Sequence, residues 1–292
     1  MQPSIFIIGT QRSGTTLLCR MLTAHPSIFI KNELPNLCRT FSRNRSKQEI
    51  INDINIEIQN TYYENLESFL KKIDKKVWGL KDPRLTYCLD DLANHFPDAK
   101  ILFIIRDGRA VANSYIKSKW GSATNTYYGA LRWKGEVELH RAFMKKNLER
   151  CHVVRYEDLI RNTEKELIEI CSFIGQPYSE NMKNYSEQPS YIKRNELNKH
   201  VFHGIDESIM SKWQNELTPY QISVFEAVAG ETLLQNQYDL VGEEIAISAV
   251  MKMWFSLQQK MLGNVQLYYQ LKSQILKRFI QKLLGRAGMR AD

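Results

Sequence analysis

Ile5-Phe6-Ile7-Ile8-Gly9-Thr10-Gln11-Arg12-Ser13-Gly14-Thr15-Thr16-Leu17-Leu18-Cys19-Arg20-Met21-Leu22 changes character twice in eighteen residues. It opens as a short run of β-branched and aromatic residues, the pattern of a strand buried on both faces. It passes through a polar loop bounded by glycines and resumes as a helix that starts near Leu17 and stops near His25-Pro26. The loop has the G-x-x-x-x-G spacing of a P-loop, with Thr15 at the place where a nucleotide hydrolase has Lys. Glycines let the backbone curl inward, and a helix N-terminus favours an anion. Ser13, Thr15 and Thr16 add hydroxyl donors and Arg12 adds a cation. Without the lysine that bridges β- and γ-phosphates, the loop points to a smaller anion, such as one phosphate with a second anionic group attached. A Gly-Thr turn that only caps a helix is the competing reading.

The same alternation recurs outward from this segment. Val77-Trp78-Gly79-Leu80, Ile101 to Ile105 and Cys151 to Tyr156 read as further short strands, and Ile28-Phe29-Ile30 is another apolar run. Residues 46–76 read as surface helices covering one side, and 108–118 and 126–149 as helices. Thr163 to Ile174 reads as a helix with a capping box at Thr163 and Glu166 and a stop at Gly175. Residues 176–210 read as loop-rich, and Thr218-Pro219 opens a helix reaching about Gln235. Short strands alternating with helices imply an α/β, P-loop-like three-layer fold. A central parallel sheet is flanked by helices, and a C-terminal helical extension follows. The expected domains are residues 1–240 and a basic amphipathic tail, 241–292.

The chain has 292 residues and a net charge of +8, from 40 Lys+Arg against 32 Asp+Glu. Its composition excludes collagen-like, disordered and disulfide-scaffold classes. From Ile245 onward, Lys252, Lys260, Lys272, Lys277, Arg278, Lys282, Arg286 and Arg290 face a single acid, Asp292. Nearly all the excess charge is therefore in the tail. Trp254, Leu257, Met261, Val265, Tyr268, Leu271, Ile275, Phe279 and Leu283 mark one helical face there, with a break expected at Gly263. Packing on the chain itself, a homodimer contact and an anionic membrane surface remain open for residues 245–284. Charge without a reader motif argues against nucleic acid. The five cysteines are odd in number and none are spaced as CxxC, so no metal site is expected. Reduced thiols and the absence of a signal-like start imply a cytoplasmic protein, with a peripheral membrane association open.

A second anion site is suggested where Arg106 ends the strongest strand and Ser114 lies eight residues on, since a fork and a hydroxyl can share one phosphate. The two sites together resemble the sulfotransferases that use 3′-phosphoadenosine 5′-phosphosulfate, PAPS. The flavour of the tyrosylprotein branch is in Arg12 to Leu17, Ala24-His25-Pro26, Glu33, Lys81-Asp82-Pro83, Arg106 to Ala110 and Ser211-Lys212-Trp213. The resemblance implies Arg12, Glu33 and Lys81 as catalytic residues, with Glu33 as base and the two cations at the transferring group. It implies donor binding by Gln11, Arg12, Ser13, Gly14, Thr15, Thr16, Arg106, Ser114, Tyr156, Ser211 and Lys212, and no metal. The expected reaction is in-line transfer to a hydroxyl of a glycan, lipid, small metabolite or tyrosine. A small-molecule kinase and a non-catalytic nucleotide-binding module are the alternatives. Trp78, Trp120, Trp133 and Trp213 are candidates to stack an adenine, with core packing the commoner fate of Trp. His25 and His95 read as loop or cap residues.

Overall fold

The structure is a computed structural model that describes residues 2–34, 41, 45–119, 121–192, 194 and 198–286, with side chains for all of these except 200 and 274–286. The chain forms two compact units: residues 1–107 with 135–212, and residues 108–134 with 213–292. The expected boundary at 240–241 falls inside the second unit.

The first unit is built on five strands: β1 (Ile5–Ile8), β2 (Ile28–Asn32), β3 (Val77–Lys81), β4 (Lys100–Ile105) and β5 (Cys151–Arg155). They form one sheet in the order β2-β3-β1-β4-β5, and every pair is parallel. Such a sheet needs cover on both faces, because the central residues of β1 to β4 are apolar and buried on both sides rather than alternating. The side-chain period of two divides each strand between two cores. Phe6, Ile8, Phe29 and Phe103 face one core; Ile5, Ile7, Leu102 and Ile104 face the other. The first core is closed by α2 (Lys47–Tyr62), α3 (Leu66–Lys72) and α4 (Leu89–His95). The second is closed by α1 (Thr15–Ala24), α7 (Tyr156–Arg161) and α8 (Thr163–Ile174). The result is the expected three-layer α/β fold.

Local chemistry accounts for several element ends. Ser46 and Glu49 form the capping box of α2, and Thr218 and Gln221 that of α10 (Pro219–Gln235). Gly175 ends α8 at φ 69°. The capping box expected at Thr163 does not form. The N-cap is Asn162, and the Thr163 hydroxyl donates back to the carbonyls of Leu159 and Ile160 at 2.7 and 3.2 Å. Only one residue separates α7 from α8, so the uncapped carbonyls ending α7 lie nearer than the amides opening α8. Helix α1 begins two residues earlier than read, at Thr15. Part of the loop-rich stretch is ordered as 3-10 turns at Glu180–Met182 and Lys199–Phe202.

The second unit holds α5 (Gly108–Ser118), the first part of α6 (Thr126–Lys146), the end of α9 (Ser208–Glu216), α10, and α11 (Ala249–Arg286). Its centre is a buried ion pair. Arg109 donates to Glu226 at 2.5 Å, with its guanidinium 4.2 Å from the centre of the Trp213 ring. Glu226 also accepts from the backbone amides of Val241 and Gly242, so the carboxylate is satisfied on several sides. The expected break at Gly263 is absent, and α11 runs unbroken through it.

Candidate active site at the strand ends

Ligands in open α/β sheets bind beyond the carboxyl ends of the strands. Here all five ends carry a residue singled out by the sequence: the Gly9–Gly14 loop after β1, Glu33 after β2, Lys81 ending β3, Arg106 after β4 and Tyr156 after β5. The β1 loop is tight. Ser13 N–H donates to the Thr10 carbonyl at 3.0 Å, Arg12 has φ 73° and Gly14 has φ 99°. No side chain caps α1 and no acid stands in its first turn, so its amide end keeps its attraction for an anion. Ser13 is fully buried, and its hydroxyl lies without a hydrogen-bond partner inside the loop. A buried orphan hydroxyl costs stability unless a ligand satisfies it, so the loop fits an anionic donor.

Arg106 ties the neighbouring strand ends to this loop. Its Nη1 donates to the Arg12 carbonyl at 3.3 Å and its Nη2 to the Ile209 carbonyl, in the first turn of α9, at 2.9 Å. Its guanidinium lies 4.4 Å from the centre of the Tyr156 ring. That ring lies against Gly14, where a Cβ would come within 2.4 Å of Tyr156 Cδ2. Burial pushes the Tyr156 phenol up, against the charge of Arg106, so it stays protonated. Gly14→Ala combines a positive φ with this overlap and is expected to cost about 1–3 kcal/mol or more. Denaturant unfolding checks this; a variant as stable as the parent means the Tyr156 ring moves away freely.

The other side of the crevice is a charged pair. Lys81 Nζ donates to Glu33 Oε1 at 2.7 Å, with the lysine side chain 1% exposed and the carboxylate 49%. Glu33 N–H donates to the Lys81 carbonyl at 2.8 Å, carrying the β2–β3 pairing one residue past the strand. Glu33 itself has φ 39°. Two of the described non-glycine residues with positive φ are thus Arg12 and Glu33, and strain of this kind collects at functional sites. Burial pushes the Glu33 carboxyl up. The charge and hydrogen bond of Lys81, with the charge of Arg84, outweigh it and hold the carboxyl below the usual range. Arg84 grips both Asp82 oxygens, at 2.9 and 2.6 Å, and the Leu34 carbonyl at 2.7 Å. It therefore pins the residue after Glu33 to the turn after Lys81.

The sequence model described as Sulfotransferase family matches residues 3–180. The chain belongs to the sulfotransferase family. Among its relatives, a protein-tyrosine sulfotransferase of Drosophila melanogaster is 28% identical over 243 residues, covering 74% of this chain and 48% of that protein. Protein-tyrosine sulfotransferase 1 of Danio rerio is 27% identical over 258 residues, covering 81% of this chain and 72% of that one. The chain spans about half the length of the Drosophila relative. Among solved structures, the sulfotransferase domain from the curacin biosynthetic pathway superposes with a TM-score of 0.60 at 22% identity, covering 82% of this chain and 99% of that domain. The last likeness is one of fold.

Within this sulfotransferase fold, the expected residues fall into groups. Arg12, Ser13, Gly14, Arg106 and Tyr156 meet around the β1 loop, and Glu33 pairs with Lys81. Thr15 is buried and Gln11 and Thr16 are half-buried, at the loop and the first turn of α1. Ser211 and Lys212 are exposed on α9, two and three residues past the carbonyl that Arg106 grips; Lys212 Nζ is 3.8 Å from Asp206. Ser114 is half-buried on α5, in the second unit. Trp78, Trp133 and Trp213 are buried core residues, and Trp120 lies outside the described residues. His25 caps α1 with its backbone N–H on the Leu22 carbonyl while its ring hydrogen-bonds the Pro177 carbonyl, and His95 ends α4 on the carbonyls of Asp91 and Arg45. His140 is buried against Thr86 with its pKa pushed down to about 3 by burial, so it stays neutral. Arg84 was not singled out by the sequence. Its only signal was adjacency to Lys81-Asp82-Pro83, and Arg after a turn is commonplace.

Proposed function

We propose that this chain moves a sulfuryl group from PAPS to an acceptor hydroxyl, with Glu33 as general base. The observation that carries this is the pairing of a P-loop-like turn, with Thr15 in the lysine position, and a buried cation held against a carboxylate across the same strand ends. The donor supplies an activated sulfate–phosphate bridge. The β1 loop holds its phosphosulfate end through loop amides, Ser13 and the hydroxyls of Thr15 and Thr16. Arg106, with its Tyr156 platform, takes the second phosphate, and the family pattern adds Ser211 and Lys212 to donor binding. Glu33 accepts the acceptor's proton as a new S–O bond forms to the acceptor oxygen. The old S–O bond to the bridging oxygen breaks, releasing adenosine 3′,5′-bisphosphate. Arg12 and Lys81 stabilise the charge that develops on that bridge.

The names of the relatives favour a tyrosine hydroxyl over glycan, lipid or small-metabolite hydroxyls. Cys19, Cys88 and Cys171 are buried, and burial pushes the Cys19 thiol up to about 12. Such thiols are inert.

The test is transfer from labelled PAPS into tyrosine peptides, glycans, lipids and hydroxylated metabolites, alongside titrations with adenosine 3′,5′-bisphosphate and with ATP and Mg²⁺. Label in the peptide pool and binding of the bisphosphate are expected. Tight ATP binding with none for the bisphosphate would overturn the reading in favour of a small-molecule kinase.

A further inference from the structure

Helix α11 is docked by the face its sequence pattern would not select. Several of its large apolar side chains follow steps of one, three and four residues, which place them on one stripe. Met253, Trp254, Leu257, Met261, Val265 and Tyr268 on that stripe are each between 49% (Leu257) and 68% (Met253) exposed. The opposite face carries the contacts within the second unit. Gln259 accepts from Thr124 N–H at 2.8 Å and donates to the Gly121 carbonyl at 2.9 Å. Gln266 accepts from Gly121 N–H at 3.1 Å, and the Phe255 ring stacks on Tyr127 at 5.2 Å. A Cβ at Gly121 would come within 2.7 Å of the Gly263 carbonyl, so two glycines let the backbones meet. The glutamines, the ring stack and this close approach fix the rotation of the helix, and that rotation turns the apolar stripe outward.

An outward apolar stripe on a fixed helix needs an occupant, and charge says which. No Asp or Glu occurs between residues 245 and 291, while the same stretch of sequence carries eight basic residues. A second copy would bring two such cationic helices together with no carboxylates on them to pair, the reverse of the opposite-charge flanks that hold helix pairs. No described helix is long and apolar enough to cross a membrane. We propose that α11 lies flat on an anionic lipid surface, with the Met253–Leu271 stripe in the acyl boundary and Lys260 and Lys272 at the headgroups. Trp254 and Tyr268 are the residue types that settle at headgroup depth. The catalytic unit is then held at a membrane without a spanning segment of its own in the described residues. This does not depend on the sulfotransferase reading.

The test is sedimentation of the full chain with vesicles of phosphatidylcholine alone and of equal parts phosphatidylcholine and phosphatidylserine. The full chain is expected to pellet with the second kind and to be released by salt. The triple variant Trp254→Gln, Leu257→Gln, Met261→Gln leaves the docked face intact and is expected to lose binding on the order of tenfold or more. Its unfolding curve should match the parent's, because the replaced side chains are exposed. No pelleting with either vesicle, or equal pelleting of the triple variant, overturns the proposal. So does a chain that dimerises in sedimentation equilibrium and becomes monomeric in the triple variant, which assigns the stripe to a second copy.

Discussion

Glu33→Gln is expected to lower turnover by about 10²–10⁴-fold, the range for losing a general base, with affinity for adenosine 3′,5′-bisphosphate unchanged. Gln is the informative replacement because Lys81 is nearly inaccessible, and the amide oxygen still accepts from Nζ. Removing the side chain altogether would strand a buried ammonium and confuse lost chemistry with lost stability. The strained backbone at Glu33 is also preserved in outline, since Gln makes no demand on φ that Glu does not. The parent's pH profile has a signed expectation. Only the ionised carboxylate accepts a proton, and Glu33 ionises below the usual carboxylate range. Activity on its acid side should therefore persist through ordinary carboxylate titration and fall only as the pH drops through the lowered value. The measurement is kcat/KM against pH, which reports the free enzyme. Unchanged turnover in Glu33→Gln removes this residue as the base.

The framework of the first unit was legible because its signals are local. Each strand is built on a short apolar run, and the residues singled out follow or end the strands: Gly9, Glu33, Lys81, Arg106 and Tyr156. A doubly covered sheet makes such runs necessary, and the topology then gathers their ends in one place. The residues carried by motif were legible for the same reason. Arg84 was not, because its role comes from folding back on Asp82 and reaching the Leu34 carbonyl, fifty residues away in the chain, a contact that no spacing encodes. The buried Arg109–Glu226 pair spans over a hundred residues and is equally invisible to a linear reading. Thr163 looked like a cap because Glu166 follows at the right interval, yet the preceding helix offered closer acceptors. In α11, periodicity identified the stripe but not its direction. A stripe usually faces inward, and here Gln259, Gln266 and the Gly121–Gly263 approach set the rotation instead.

Lys81→Met separates two roles that the geometry places on one ammonium. Met has a similar length and suits a site that is 1% exposed, and its loss of charge leaves Glu33, half-exposed, to water. The fold should therefore survive. If Lys81 stabilises charge on the bridging oxygen, turnover should fall by about 10²–10³-fold at every pH, as when one preorganised donor is removed. If it also holds Glu33 in its charged form, the acid limb of kcat/KM should move to higher pH, because burial raises this carboxyl and loses its main opponent while Arg84 remains. Both changes are expected together. A uniform loss with an unmoved limb assigns Lys81 to the donor alone. A moved limb with the plateau rate intact assigns it to Glu33 alone. The two effects are compatible in one residue because the pair is asymmetric. The lysine is buried and fixed, the carboxylate reaches solvent, and an acceptor arriving from that side meets Glu33 before it meets the cation.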